Sequence, residues 1–130
     1  VIPVCAKLEE EIAQLPLSER KEFLQSLGLE QSGLERLIKA SFGMIGLITY
    51  LTTGEIETRA WTITQGTPAA EAAGKIHTDI QKGFIRAEVV TYEDMMHYKG
   101  RGAAREAGKV RAEGRDYIVK DGDVILFMHH

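Results

Sequence analysis

A chain of 130 residues, 44% apolar and 27% charged, has the length for one compact domain or for a small domain with an attached helical piece. A net charge of -3 removes any whole-molecule nucleic-acid signature, so contact with RNA has to come from a local patch. The single cysteine, Cys5, excludes an internal disulfide and a thiolate zinc cluster and fits a reducing cytoplasm; no apolar run approaches the roughly 18 residues of a membrane span.

Residues 1–4, Val-Ile-Pro-Val, are β-branched and read as a strand belonging to a larger sheet. Apolar positions at Leu8, Ile12 and Leu15 then predict an amphipathic helix that stops before Pro16. Ser18 is the expected cap of a second helix with Phe23, Leu24 and Leu27 on one face, and Gly28 suits the left-handed residue that ends it. Ser32 followed by Glu35 predicts a capping box, and Leu34, Leu37, Ile38 and Phe42 continue a helical stripe. These apolar faces call for a partner, either the rest of a larger domain or a second copy of the chain.

From Met44 the period changes to that of strands. Residues 45–52 and 58–64 predict a hairpin around Gly54-Glu55-Ile56-Glu57. Thr67 is the expected cap, with Pro68 at the first position, of a helix running to about Ile80. A third strand follows over residues 84–92, then a helical turn at 92–96 and a small helix at 103–107. Asp121-Gly122 between residues 116–119 and 124–127 predicts a closing hairpin. The order strand, strand, helix, strand, small helix, strand, strand indicates an α+β fold of the β-grasp, ubiquitin-like type, with one main helix on a mixed sheet. An N-terminal helical segment precedes it.

The chemical motifs are few. Gly74-Lys75 lacks both the first glycine and the Ser or Thr of a phosphate loop, since Ala69 and Ile76 occupy those positions. His77 and Asp79 have no third ligand nearby for a metal, and neither a Ser-His-Asp nor a Cys-His pairing is apparent. Lys75, His77, Lys82 and Arg86 form a candidate cationic patch able to meet phosphate and stack on a base. Residues 99–115 carry Lys99, Arg101, Arg105, Lys109, Arg111 and Arg115 against Glu106 and Glu113, a second candidate RNA contact, whose alternative is a merely soluble helix face. Trp61, on an alternating strand, reads as a packing residue. His129 and His130 are native or belong to a purification tag and are given no role.

Leu47-Ile48-Thr49-Tyr50 with Thr53-Gly54, Arg59-Ala60-Trp61-Thr62-Ile63, Gly66-Thr67, the block from Ala72-Ala73-Gly74-Lys75-Ile76-His77-Thr78-Asp79 to Gly83-Phe84-Ile85-Arg86-Ala87-Glu88-Val89, Ala107-Gly108-Lys109 and Asp121-Gly122-Asp123 resemble the C-terminal part of the YchF family of Obg-like ATPases. The resemblance covers nearly the whole chain. It implies that residues 44–130 are a TGS domain, the β-grasp module also found in threonyl-tRNA synthetases and stringent-response synthetases. Residues 1–43 would be the end of a nucleotide-binding domain, with Val4, Cys5 and Ala6 in the loop that lines the nucleotide base. Cys5 stands where the family usually has Ser, a departure that weakens this role.

The same resemblance implies a full-length enzyme hydrolysing ATP, GTP less favourably, with magnesium. Its phosphate loop and metal ligands would lie upstream, so this segment is expected to have no catalytic activity of its own. The implied partners are the ribosome or the 3′ end of tRNA, met by the Ile76-His77-Thr78 turn. The alternative is a protein-interaction or intramolecular regulatory domain docking on the ATPase core.

Overall fold

The computed structural model describes residues 1–54 and 56–130 and divides into two compact units, Val1–Ile45 and Gly46–His130. The first unit holds α1 (Ala6–Gln14), α2 (Leu17–Ser26) and α3 (Gly33–Met44), packed around Ile12 and Leu24. The Arg20 guanidinium donates to the carbonyls of Leu15 and Ala13, satisfying the end of α1. Ser32 and Glu35 form the expected capping box on α3, and Gly28 adopts φ 70° after α2.

Two expectations for this unit are corrected. Residues 1–4 form no strand, because no strand among the described residues offers them a ladder of hydrogen bonds. Ser18 is not the cap of α2: the helix already begins at Leu17, behind Pro16, and has no side-chain cap. Leu34, Leu37 and Ile38 are about half exposed along α3.

The second unit begins with β1 (Leu47–Thr53) and β2 (Thr58–Thr64), an antiparallel hairpin in register from Leu47↔Thr64 to Thr53↔Thr58. Gly54 N–H donates to the Glu57 carbonyl across its loop; the Glu55 position of that predicted loop lies outside the described residues. Next come α4 (Ala69–Ile76), α5 (Thr78–Lys82), β3 (Phe84–Thr91), α6 (Tyr92–His97), α7 (Arg101–Glu106), β4 (Arg111–Glu113) and β5 (Asp123–His129). The sheet order is β2-β1-β5-β3-β4, with β1 and β5 parallel and the other neighbours antiparallel. The protein is thus α+β with a mixed five-stranded sheet.

Alternation along the strands sends one set of side chains to each face. Tyr50, Ile63, Ala87, Val89, Ile125 and Phe127 pack under α4. Val90 and Val124 face the other way and meet Ala104 of α7, with Met95 and Tyr98 beside them.

The Asp121-Gly122 turn does not close a hairpin. Gly122 is left-handed, φ 81°, but the chain before it is held elsewhere. Ala69 and Ala70 N–H donate to the carbonyls of Tyr117 (2.8 Å) and Arg115 (3.2 Å), and Val119 N–H donates to the Thr67 carbonyl. Residues 115–119 therefore cap α4 through their backbone, with only an isolated bridge from Ile118 to Pro68. This also corrects the expected Thr67 cap, since the Thr67 hydroxyl donates to the Thr64 carbonyl instead. The strand that pairs outside β3 is β4, hidden in the basic segment.

Candidate functional site

Four alanines, Ala69, Ala70, Ala72 and Ala73, form the buried side of α4 and let the helix lie close on the sheet. The helix does not run on to Ile80 as expected, because it breaks at His77, whose backbone is extended (φ -160°, ψ 143°). His77 Nδ1 accepts from the Asp79 amide at 3.1 Å and so caps α5. An accepting Nδ1 carries a lone pair and leaves the proton on Nε2, turning one donor outward. Asp79 Oδ2 also lies 3.4 Å from the same nitrogen.

The corner between α4 and α5 is closed by Gln81, whose side chain sits where a Cβ on Gly74 would fall, 2.5 Å from Oε1. His130 N–H donates to the Gly83 carbonyl and ties the end of α5 to the end of β5. Lys75, His77 and Lys82 are all exposed on this corner.

Of the other expected cations, Arg86, Arg101 and Arg105 lie across the sheet from that corner, whereas Arg111 and Arg115 pack against Tyr117 and Phe84 on the α4 side. Arg86 and Glu88 project from β3 on the face opposite Val89, and Glu88 pairs with both Arg86 (3.4 Å) and Arg105 of α7. Arg101 donates to the backbone carbonyls of Glu88 (3.0 Å) and Val124 (3.3 Å). Burial pulls the Arg101 guanidinium below the usual arginine range; Glu88 offsets part of this fall and Arg105 adds to it. Arg111 lies over the Tyr117 ring, donates to its hydroxyl at 3.3 Å and stands 3.5 Å from Glu113. Arg115 lies over Phe84.

Arg86 thus stands apart from Lys75, His77 and Lys82, with which the expected cationic patch grouped it. Arg101 is an anchor of α7 on the sheet, Arg86 and Arg105 share a carboxylate, and Lys99 and Lys109 are exposed lysines of that segment outside any ion pair among the described residues. Arg101→Ala is expected to lower the unfolding free energy by about 2 kcal/mol, from loss of charge-assisted hydrogen bonds to two carbonyls. Urea denaturation checks it, and a change within experimental error would remove the anchor role.

A groove of about 410 Å³ opens beside the α4–α5 corner, with Ile76, Ile80 and Phe127 as its floor and Trp61 and Arg59 as a wall. Trp61 Nε1–H donates to Thr52 Oγ1 at 2.9 Å, which fixes the indole, and the Arg59 guanidinium carbon lies 4.3 Å from its ring centre. Sequence reasoning favoured packing for Trp61, which does lie against the core. The signal for more was Arg59 two residues away, which in a strand shares its face.

In the first unit, Cys5 is exposed at the N-cap of α1, Ala6 is the first helical residue and exposed Val4 precedes them. Val4 and Cys5, but not Ala6, line a pocket with Leu29, Gly33 and Arg36, where Glu9 accepts the Gly33 amide at 2.6 Å. Among the described residues no group of three His, Cys, Asp or Glu side chains is arranged for a metal ion, and no helix is long and apolar enough to cross a membrane.

The family model YchF-GTPase_C, described as "Protein of unknown function (DUF933)", matches residues 47–130. The chain belongs to the YchF family. The chain is 58% identical over 128 residues to the "Ribosome-binding ATPase YchF" of Escherichia coli O157:H7, covering 98% of this chain and 35% of that protein. It is 48% identical over 127 residues to "Obg-like ATPase 1" of Homo sapiens, covering 98% of this chain and 32% of that one. The solved Schizosaccharomyces pombe YchF GTPase superposes with a TM-score of 0.80 at 37% identity, over 98% of this chain and 34% of that one. The chain thus spans about a third of the length of these relatives.

Proposed function

We propose that this chain is a ribosome- or tRNA-binding TGS module, of β-grasp type, within a YchF-type ATPase. The observation that carries the reading is the 58% identity, over 98% of the chain, to a relative named as a ribosome-binding ATPase. The exposed Lys75, His77 and Lys82 on the α4–α5 corner support it, since two ammonium groups and an outward imidazole N–H suit phosphate oxygens.

In this reading the whole enzyme works in the cytoplasm and hydrolyses ATP, GTP less favourably, with magnesium. Val4, Cys5 and Ala6 would face the nucleotide base. The phosphate-loop pattern is absent from residues 1–130, so no step of hydrolysis is assigned to them. The half-exposed α3 stripe of Leu34, Leu37 and Ile38 favours a second role for the first unit, docking on the ATPase core.

Co-sedimentation with ribosomes across a salt series tests the main reading. The chain is expected to pellet at low salt and to be released as salt rises. Lys75→Ala combined with His77→Asn is expected to weaken binding about tenfold, from loss of charge-assisted contacts. Asn keeps a capping oxygen for the Asp79 amide, so the loss reports on the surface and not on the helix start. Absence of binding at low salt, or binding indifferent to the double change, would remove the proposed surface.

A further inference from the structure

We infer that the Trp61–Arg59 groove is a subsite for one unpaired base of single-stranded RNA, whose backbone runs over the α4–α5 corner. The inference rests on the RNA-binding reading above and gives it a second, separately testable contact. Three observations carry it.

The groove and the cationic corner share two helices. The groove floor uses Ile76 of α4 and Ile80 of α5, and these same helices carry Lys75, His77 and Lys82. A strand whose phosphates meet the lysines has an apolar slot beside it for a base.

The wall is built as a stack. The indole N–H is already satisfied by Thr52, so the ring offers only its π surface, and the exposed Arg59 guanidinium already lies on that surface. A planar base extends such a ladder on the guanidinium plane, and the guanidinium donors reach a flanking phosphate. An aliphatic side chain from a protein would occupy the floor but make no use of Arg59.

The charge at the rim is also suited to this occupant. Among the described residues Arg59 has no ion-pair partner, whereas Arg86 and Arg105 of the opposite face, and Arg111 of β4, all have carboxylates beside them. Glu57 also lines the rim, but it forms no ion pair with Arg59.

Trp61 is the only tryptophan in the chain, so its fluorescence reports on the groove alone. The 130-residue chain is titrated with a dye-labelled riboadenylate of about eight nucleotides, a length within the usual single-strand site size. Tryptophan quenching and dye anisotropy are followed in parallel. Saturable quenching at the concentrations that raise the anisotropy is expected. Arg59→Ala and Trp61→Leu are each expected to weaken binding by about tenfold, within the range set by alanine substitution at stacking sites. Circular dichroism of both variants confirms that they fold.

Binding without quenching, and indifferent to Arg59→Ala, overturns the groove and leaves the RNA-binding corner standing. Failure of the oligonucleotide to bind, with salt-sensitive ribosome co-sedimentation retained, also overturns the groove alone. Loss of both removes this inference together with the proposed function. A shift of Trp61 emission by N-acetyl-leucinamide, unaffected by Arg59→Ala and with no response to the riboadenylate, overturns it in favour of a protein side chain.

Discussion

Tyr50→Ala is expected to lower the stability of the second unit by about 4 kcal/mol, the range for removing a fully buried aromatic ring. Tyr50 is fully buried on β1, edge-on to Phe127 of β5 with ring centres 6.0 Å apart. Its hydroxyl donates to the Ala72 carbonyl of α4 at 2.8 Å. Burial pushes the Tyr50 phenol well above its ordinary range, which favours the protonated, donating form.

One side chain thereby joins two strands of the sheet to the helix above them. Tyr50→Phe keeps the ring and removes only the hydroxyl, and is expected to cost about 1 kcal/mol, or roughly 5 °C of melting temperature for a unit of this size. Thermal and urea unfolding of the two variants separates the contributions. Equal losses for Phe and Ala would mean that the hydrogen bond, and not the ring, carries the effect.

Asp123→Ala is the second large change, expected to cost about 3 kcal/mol. Asp123 is 2% exposed, and its Oδ2 accepts from the Tyr117 hydroxyl at 2.7 Å and from the Lys120 amide at 2.9 Å. Removing the carboxylate leaves a hydroxyl and an amide without their acceptor in a partly buried place. Burial first, and then the bond to Asp123, raise the Tyr117 phenol above its usual range, while Arg111 pulls it back. Asp123 is also the first residue of β5. Its loss loosens the entry of the central strand and the segment that caps α4. Asp123→Asn retains an acceptor oxygen and is expected to cost less than half as much. Urea midpoints for both variants decide the matter, and an Ala variant within about 0.5 kcal/mol of the unaltered chain would dismiss the network.

What could be read from sequence was local. The Ser32–Glu35 box, the Gly28 stop and the β1–β2 hairpin each involve residues a few positions apart, and the structure contains all three. The Asp121-Gly122 signal was equally local and misled. The partners of residues 115–119 are the first amides of α4, nearly fifty residues back, and no short-range pattern records that preference.

The engagement of the arginines in the basic segment was hidden for the same reason. Counting charges over residues 99–115 omits Glu88, which the packing of α7 on β3 brings against Arg105. Arg101 looked like a phosphate ligand because its two backbone acceptors lie 13 and 23 residues away. The α4–α5 corner was visible as a polar interruption, and at its break His77 Nδ1 accepts from the Asp79 amide.

The position of β5 bears on the order in which the molecule can be made. The strand that comes last in the sequence lies between β1 and β3 and touches both. As the chain emerges from the ribosome, β1–β2 and β3–β4 are two separate ribbons with nothing to join them, and two-stranded ribbons are marginal in water. The parallel contact of Leu51 with Val124 closes a loop of more than seventy residues, a slow step that has to wait for synthesis to pass residue 124. Assembly of this sheet is thus expected to follow translation of β5 and not to accompany that of the earlier strands, with the nascent α4 leaving its alanine face uncovered until then.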